Sequence, residues 1–160
     1  MGKIKLYLDT NTILDFFINQ AKYFRNKGEL KIPEKTKFML DNLEKFDFVI
    51  SFLTKAEIMR ELVAAHHVDP KKVDSFWSDF MKSMNNPKYI SRFEFDEKLV
   101  ELAGKSGMKL RTMFNFQHLF IAMKEDAYFV SGDKDAIEKI KELGVYNKVL
   151  TYIELRSLIS

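Results

Sequence analysis

The sequence predicts a single α/β domain over residues 1–160, doubly wound, with a central parallel sheet of about five strands flanked by helices on both faces. Short apolar runs alternate along the chain with longer amphipathic runs, as they do where helices connect parallel strands. The short runs are mostly apolar, which is typical of strands buried on both faces. A length of 160 residues fits one domain, and no repeat, low-complexity tract or linker divides it.

The predicted elements follow one another in strand and helix order. Strand-like runs lie at residues 4–8, 48–51, 90–95, 127–131 and 148–151. Amphipathic runs predict helices at residues 12–19, 34–45, 54–65, 70–84, 96–105, 115–124, 134–143 and 152–158. Pro33 and Pro70 suit helix starts, and Gly144 suits a helix end.

Residues 21–35 break this pattern, because they are polar, contain Gly28 and Pro33, and carry five basic side chains. We expect a loop there. Two interpretations stay open for Tyr23 and Phe24: an aromatic ring pinned to the core, or a contact with single-stranded nucleic acid through stacking and phosphate charge. The basic residues are Lys22, Arg25, Lys27, Lys31 and Lys35.

Composition limits the compartment and the partners. Hydrophobic residues make up 46% of the chain and include 15 Phe, enough for a well-filled core. The chain has no cysteine, which excludes disulfides and thiolate metal sites and suits a reducing cytoplasm. We expect a cytoplasmic protein without a signal peptide or membrane span. A net charge of +3 permits nucleic acid as a partner without requiring it.

A helical stripe of large apolar residues predicts core packing; the alternative is a dimer surface. The stripe consists of Val73, Phe76, Trp77, Phe80 and Met84.

Carboxylates follow three of the predicted strands. Asp9 ends the first, Glu57 follows the second, and Asp133 and Asp135 follow the fourth. Because parallel strands end at one edge of a sheet, we expect these acids to approach one another. Crowded carboxylates repel unless a cation lies among them, and Mg²⁺ or Mn²⁺ bound there suits phosphodiester hydrolysis. The sequence therefore predicts a metal-dependent nuclease.

Several polar residues near these acids also have a structural interpretation. Asp9 would then only end the strand, with Asn11 or Thr12 capping the next helix. Asp135 is either a further ligand or a charge that the helix dipole favours. Asn11 and Ser131 either orient carboxylates and waters or act only as caps.

Other candidates lie close by in sequence. His118, one turn after Asn115, either faces the site or packs as a hydrogen-bonded histidine at the edge of the core. Four basic residues either bind substrate phosphates or are solvated charges. They are Lys55, Arg60, Arg111 and Lys134.

The ordered set of motifs resembles the PIN-domain nucleases, a family that includes the VapC toxins. The first acidic motif is similar to LDTNTIL at residues 8–14, and the second to SFLTKAEI at residues 51–58. The last is similar to VSGDKD at residues 130–135, and the closing strand and helix to KVLTYIE at residues 148–154. The resemblance runs from residue 4 to the end of the chain in the family's order.

One motif departs from that family. FNFQHLFIA at residues 114–122 places Asn115 where the family has an aspartate at the start of a helix. An amide oxygen can ligate a metal but brings no charge, and Mg²⁺ favours carboxylates and water. We therefore expect weaker metal binding than in the family.

The resemblance implies a divalent-metal-dependent endoribonuclease that cleaves single-stranded or loop RNA. The site would consist of Asp9, Glu57, Asn115 and Asp133, with Asp135 as a further carboxylate for Mg²⁺ or Mn²⁺. It also implies a homodimer and, for the toxin of a toxin–antitoxin pair, a protein antitoxin that blocks the site.

Two alternatives stay open. Asn115 motivates a catalytically weak or inactive PIN-like module that binds RNA or a protein. A phosphoryl-transfer enzyme of another doubly wound family, such as a haloacid-dehalogenase-like phosphatase or a receiver domain, is the second. Such a phosphatase normally needs an aspartate two residues after the first, where this chain has Asn11. A receiver domain needs an acidic pair around the end of the first strand, which this chain lacks.

Overall fold

The computed structural model describes residues 2–26, 30–106 and 109–160, which form an α/β domain with one parallel sheet. The strands are β1 (Ile4–Leu8), β2 (Phe46–Ser51), β3 (Lys88–Ile90), β4 (Tyr128–Val130) and β5 (Val149–Leu150). The helices are α1 (Thr10–Asn26), α2 (Glu34–Leu40), α3 (Phe52–Ala64), α4 (Pro70–Ser83), α5 (Glu97–Ser106), α6 (Leu110–Lys124), α7 (Lys134–Leu143) and α8 (Tyr152–Ile159). The predicted fold class is confirmed.

β1 is the central strand of the sheet, whose order is β3-β2-β1-β4-β5. It pairs in parallel with β2 on one side, where Tyr7 lies opposite Val49, and with β4 on the other, where Tyr7 lies opposite Phe129. The chain winds outwards from β1 to β3 and returns to the other side of β1 with β4. The carboxyl end of β1 therefore lies at the point where the winding reverses, which is where open α/β sheets bind ligands.

Alternate residues of β1 enter two separate cores, one on each face of the sheet. Leu6 and Leu8 pack in the core that α1, α3 and α4 cover. Tyr7 points the other way and packs with the buried residues of α6 and α7. This alternation brings helices from opposite faces to the end of β1, with α3 and α6 on either side of it.

The predicted apolar stripe, which lies on α4 and on Met84 directly after it, is core, because all five of its residues are buried. Phe80 is fully buried and its ring lies 5.0 Å from that of Phe17 on α1. No helix in the described part of the chain has both the length and the apolar composition of a membrane span.

The prediction of a strand at residues 90–95 was wrong. β3 covers Lys88–Ile90, and its last residue pairs with Ser51. Because β2 ends at Ser51 and α3 begins at the next residue, no partner extends beyond Ile90. Residues 91–95 alternate between polar and apolar as a strand would, but they have no strand to pair with.

The predicted loop at residues 21–35 was wrong in its first part, since α1 continues to Asn26. Ala21 is buried, and the ring of Phe24 stacks at 5.2 Å on that of Phe76. Favourable packing thus extends the helix despite its polar residues. Lys27 and Gly28 lie outside the described residues.

Other helix boundaries also differ from the prediction: α1 begins at Thr10 and α3 at Phe52, each two residues earlier than expected. α6 begins at Leu110, so Asn115 lies in its second turn and not at its start. The segment predicted as one helix at 34–45 divides into α2 and a short 3₁₀ turn at Leu43–Lys45.

Gly144 ends α7 in the left-handed region, with φ of 62°, as its place in the sequence predicted. We expect Gly144→Ala to lower the free energy of unfolding by about 1 kcal/mol, because an L residue is strained there although no atom lies within 4 Å of an added Cβ. Gly104→Ala is the matched control: the glycine lies inside α5 with equal space, so alanine should stabilise the protein by about 1 kcal/mol. Urea unfolding measures both, and shifts of the same sign would contradict this account.

Candidate functional site

A cleft of about 430 Å³ opens at the carboxyl end of β1, between α3 and α6. Of the residues predicted from the sequence, Asp9, Asn11, Glu57 and Asn115 line it. They come from the end of β1 and from three different helices, so the fold alone brings them together. The cleft lies at the edge of the sheet where the strand-end acids were expected.

Asp9 is the most buried carboxylate of the cleft, with 1% of its surface exposed. Its Oδ1 accepts a hydrogen bond from the backbone N–H of Thr12 at 3.1 Å and another from the Thr12 hydroxyl at 2.5 Å. Asp9 itself therefore caps α1, in the place that Asn11 or Thr12 was expected to take. The Thr12 hydroxyl also lies 3.2 Å from the carbonyl oxygen of Val130, which ties the cap to β4.

Burial raises the pKa of Asp9, because a carboxylate removed from water loses hydration. The hydroxyls of Thr12 and Ser131 lower it in part, as does the imidazole of His118 when that ring carries a positive charge. Desolvation is the largest of these effects, so the pKa stays above its ordinary value. The end of β1 thus holds a carboxyl group whose charge is incompletely compensated by the protein.

Glu57 approaches the same cleft from α3. Its Oε1 accepts a hydrogen bond from the hydroxyl of Thr10 at 3.1 Å and contacts Nε2 of His118 on α6. The side chain is about one-third exposed, so it is open to the cleft.

Asn115 lines the cleft from α6, one turn before His118. It is partly buried. Asn115, which stands where the resembled family has its third acidic residue, therefore lines the same cleft as Asp9 and Glu57.

Asp133 and Asp135 lie in an adjoining depression, which shares Asn11 and Arg111 with the cleft. Asp133 caps α7 by accepting from the backbone N–H of Ala136 at 3.1 Å, and its other oxygen lies 4.0 Å from Arg111. Among the residues that the structure describes, no three His, Asp or Glu side chains are grouped closely enough to hold a metal ion by themselves. The site residues are thus divided between two neighbouring concavities.

Ser131 is buried just after β4 and contacts Asp9 and Asp133. Its hydroxyl accepts a hydrogen bond from the backbone N–H of Asp133 at 3.1 Å, and it lowers the pKa of Asp9. It therefore contacts one carboxylate of each concavity, which agrees with an orienting role.

Five polar residues of the site were missed or weighted too low in the sequence. Glu61 of α3, which lines the cleft, was not singled out. Both interpretations of His118 apply: it is buried at the edge of the core, with 2% of its surface exposed, and it also lines the cleft. Tyr7, Thr10 and Thr54 were not singled out, although Tyr7 bonds His118 and Thr10 bonds Glu57. One signal was present: Tyr7 lies within an apolar strand, two residues before the aspartate that follows that strand.

The basic residues considered as phosphate ligands separate into two groups. Arg60 and Arg111 line the cleft, and Lys134 lines the adjoining depression. Lys55 instead lies over the rings of Trp77, at 5.7 Å, and Tyr89, at 6.0 Å.

The sequence matches no protein-family model and no curated protein. Among solved structures, the fold is similar to the crystal structure of PAE2754 from Pyrobaculum aerophilum, with a TM-score of 0.52 and 14% identical residues. The similarity covers 97% of this chain and 95% of that chain. At this level of identity the likeness supports the fold and carries nothing about activity.

Proposed function

We propose that the protein is a divalent-metal-dependent endoribonuclease of the PIN type that cleaves single-stranded or loop RNA. The observation that carries the proposal is Asp9: a carboxylate buried at the reversal point of the sheet, with its pKa raised by desolvation, beside a second carboxylate in an open cleft. Burying a charge is costly unless it is paired, and a bound cation would pair it.

The oxygen donors around the cleft fit a hard cation. Asp9, Glu57 and Glu61 line the cleft with carboxylates, and Asn115 adds an amide oxygen. Mg²⁺ commonly binds through one or two carboxylates while keeping several waters. Such a small protein contribution agrees with the lack of a three-acid group among the described residues. Asp133 and Asp135, across Asn11, would act through water.

When bound, a divalent cation supplies an acidified water and neutralises charge on the phosphate. The chain's own residues then have separate tasks. Asp9 and Glu57 would hold the cation, Asn115 would offer it an amide oxygen, and Arg60 and Arg111 would attract the phosphate from the two sides of the cleft. The choice of RNA over DNA, the homodimer, a protein antitoxin and a cytoplasmic location come from the family resemblance and composition.

A second candidate is a PIN-like module that binds RNA or a protein without efficient cleavage. Two observations favour it: Asn115 brings no charge, and the carboxylate of Asp133 is engaged by the start of α7 and by Arg111. Both reduce the negative charge available to a metal.

The test is incubation of the purified chain with a mixed pool of single-stranded RNA in Mg²⁺, in Mn²⁺ and in EDTA. We expect cleavage with either metal and none in EDTA, and no comparable cleavage of a DNA pool of the same length. Equal cleavage in EDTA would contradict the metal assignment. RNA retention in a gel-shift assay, with no cleavage in any metal, would favour the binding module.

A further inference from the structure

Glu57 is held through one of its two carboxylate oxygens. Both of its described hydrogen bonds, from Thr10 and from His118, end on Oε1. Because α1, α3 and α6 each contribute one of these three residues, the carboxylate is fixed relative to three helices at once. This arrangement leaves Oε2 for a ligand in the cleft that Glu57 lines.

The imidazole of His118 is itself fixed at its other nitrogen. Nδ1 lies 2.6 Å from the hydroxyl of Tyr7, and the two rings are 5.7 Å apart. Tyr7 is fully buried, and its ring also stacks on Phe129 of β4. The ring that bonds Glu57 is therefore anchored to the central strand of the sheet.

The Tyr7 hydroxyl is anchored in turn by Ser51, whose Oγ lies 2.7 Å away. Ser51 Oγ accepts from the backbone N–H of Thr54, at 3.4 Å, at the start of α3. Burial raises the pKa of Tyr7, so the phenol keeps the proton that it needs as a donor.

The direction of these hydrogen bonds follows from the Glu57 carboxylate, where the series ends in the cleft. An ionised Glu57 only accepts, so Nε2 of His118 carries a hydrogen. In a neutral imidazole Nδ1 then accepts, which makes Tyr7 its donor. The Tyr7 oxygen in turn accepts from the Ser51 hydroxyl. Each group donates to the next, from the sheet outwards to the cleft.

We propose that Tyr7 and His118 are positioning residues for Glu57: the Tyr7 hydroxyl holds His118 in its Nε2–H form, and His118 holds one oxygen of Glu57 so that the other faces a cation in the cleft. This inference rests on the proposed function, since it assigns Glu57 a cation to bind. Hydrogen bonds behind a ligand orient it and raise its affinity for metal. A phenylalanine at position 7 would fill nearly the same space, so only the hydroxyl carries this role.

The first test is the tautomer of His118 in metal-free protein, read from the long-range couplings between its ring protons and ring nitrogens by NMR. We expect the Nε2–H tautomer in the wild type and a mixture of tautomers in Tyr7→Phe. Thermal melts establish that both proteins are folded. An Nδ1–H tautomer in the wild type, or an unchanged spectrum in Tyr7→Phe, would overturn the role of Tyr7.

The second test compares two substitutions of His118 that differ in which nitrogen they replace. His118→Gln places an amide N–H near the position of Nε2, so it can still donate to Glu57. His118→Asn places its amide near Nδ1, so it can still bond Tyr7 but does not reach Glu57. We expect calorimetry to give near wild-type Mn²⁺ affinity for the glutamine variant and about fivefold weaker affinity for the asparagine variant.

The outcomes separate this inference from the proposed function. A wild type that binds Mn²⁺, with equal affinities in the two His118 variants, overturns the positioning role and leaves the metal site standing. A wild type that binds neither Mn²⁺ nor Mg²⁺ overturns the proposed function and the positioning role with it. Circular dichroism at the temperature of the titration ensures that the compared variants are folded.

Discussion

Asp9→Asn should eliminate metal-dependent RNA cleavage, lowering its rate by more than about 100-fold, since even residues that only support a metal ligand contribute about 10- to 100-fold. Asparagine keeps the shape of the side chain and an Oδ1 that can accept from Thr12, so the cap of α1 survives. Only the charge is lost. Cleavage assays in Mn²⁺ measure the effect.

Asp15→Asn is the matched control for this substitution. Asp15 lies on α1, is exposed and is outside the residues that line the cleft, so the same change of charge there should leave cleavage unchanged. Full activity in Asp9→Asn would show that the metal assignment is wrong. Equal loss in both variants would point to a general effect of net charge on RNA binding.

In metal-free buffer the same substitution should stabilise the protein, and the gain should depend on pH. Because the pKa of Asp9 is raised by burial, the native state keeps this proton at pH values at which the unfolded chain has lost it. In that window the native state binds more protons, so the free energy of unfolding falls as pH rises. This destabilisation is absent below the ordinary pKa of an aspartate and complete above the raised one.

Asparagine has no such titration, so the Tm of Asp9→Asn should exceed that of the wild type by more at neutral pH than in acid. Melts in EDTA across this range measure the difference. A Tm difference that does not vary with pH would mean that desolvation of Asp9 does not govern its stability effect.

The sheet was predictable because its inner strands are largely buried and therefore mostly apolar. β1 has the predicted bounds, and α7 was predicted to the residue, since Lys134–Leu143 has a strong amphipathic period and a glycine after it. The edge strand β3 was misplaced because its bounds depend on its register with β2, which the local pattern does not reveal.

The candidate site was only partly predictable, for a related reason. Acids at strand ends are visible in the sequence, so Asp9 and Glu57 could be selected as neighbours of one cleft. The bond between Tyr7 and His118 joins residues 111 positions apart, and nothing in either segment indicates that the two residues meet. The division between the cleft and the depression that contains Asp133 likewise depends on Arg111, which reaches both from the start of α6.

Asn115→Asp should raise the affinity for Mn²⁺ at least about tenfold, because it adds a carboxylate to a cleft already lined by Asp9, Glu57 and Glu61. In metal-free protein the added charge repels the carboxylates already there, so the Tm at neutral pH should fall. The two effects have opposite signs and share one cause. Calorimetry and melts in EDTA measure them separately.

The matched control adds the same charge at the other end of the sheet. Asn85 is exposed, lies in the turn before β3 and has a positive φ of 59°, which aspartate also tolerates. Asn85→Asp should therefore change neither metal affinity nor the response of the Tm to metal. An equal gain in affinity there would show that net charge, and not position, attracts the cation.

Cleavage by Asn115→Asp decides between the two candidate functions. If weak metal occupancy limits the natural enzyme, cleavage at subsaturating Mn²⁺ should rise with affinity, whereas rates at saturating Mn²⁺ should converge. Raised affinity without any cleavage would favour the binding module, since the site would then hold a cation and still lack chemistry. Unchanged affinity would place Asn115 outside the metal site, and the match to the third acidic motif would be wrong.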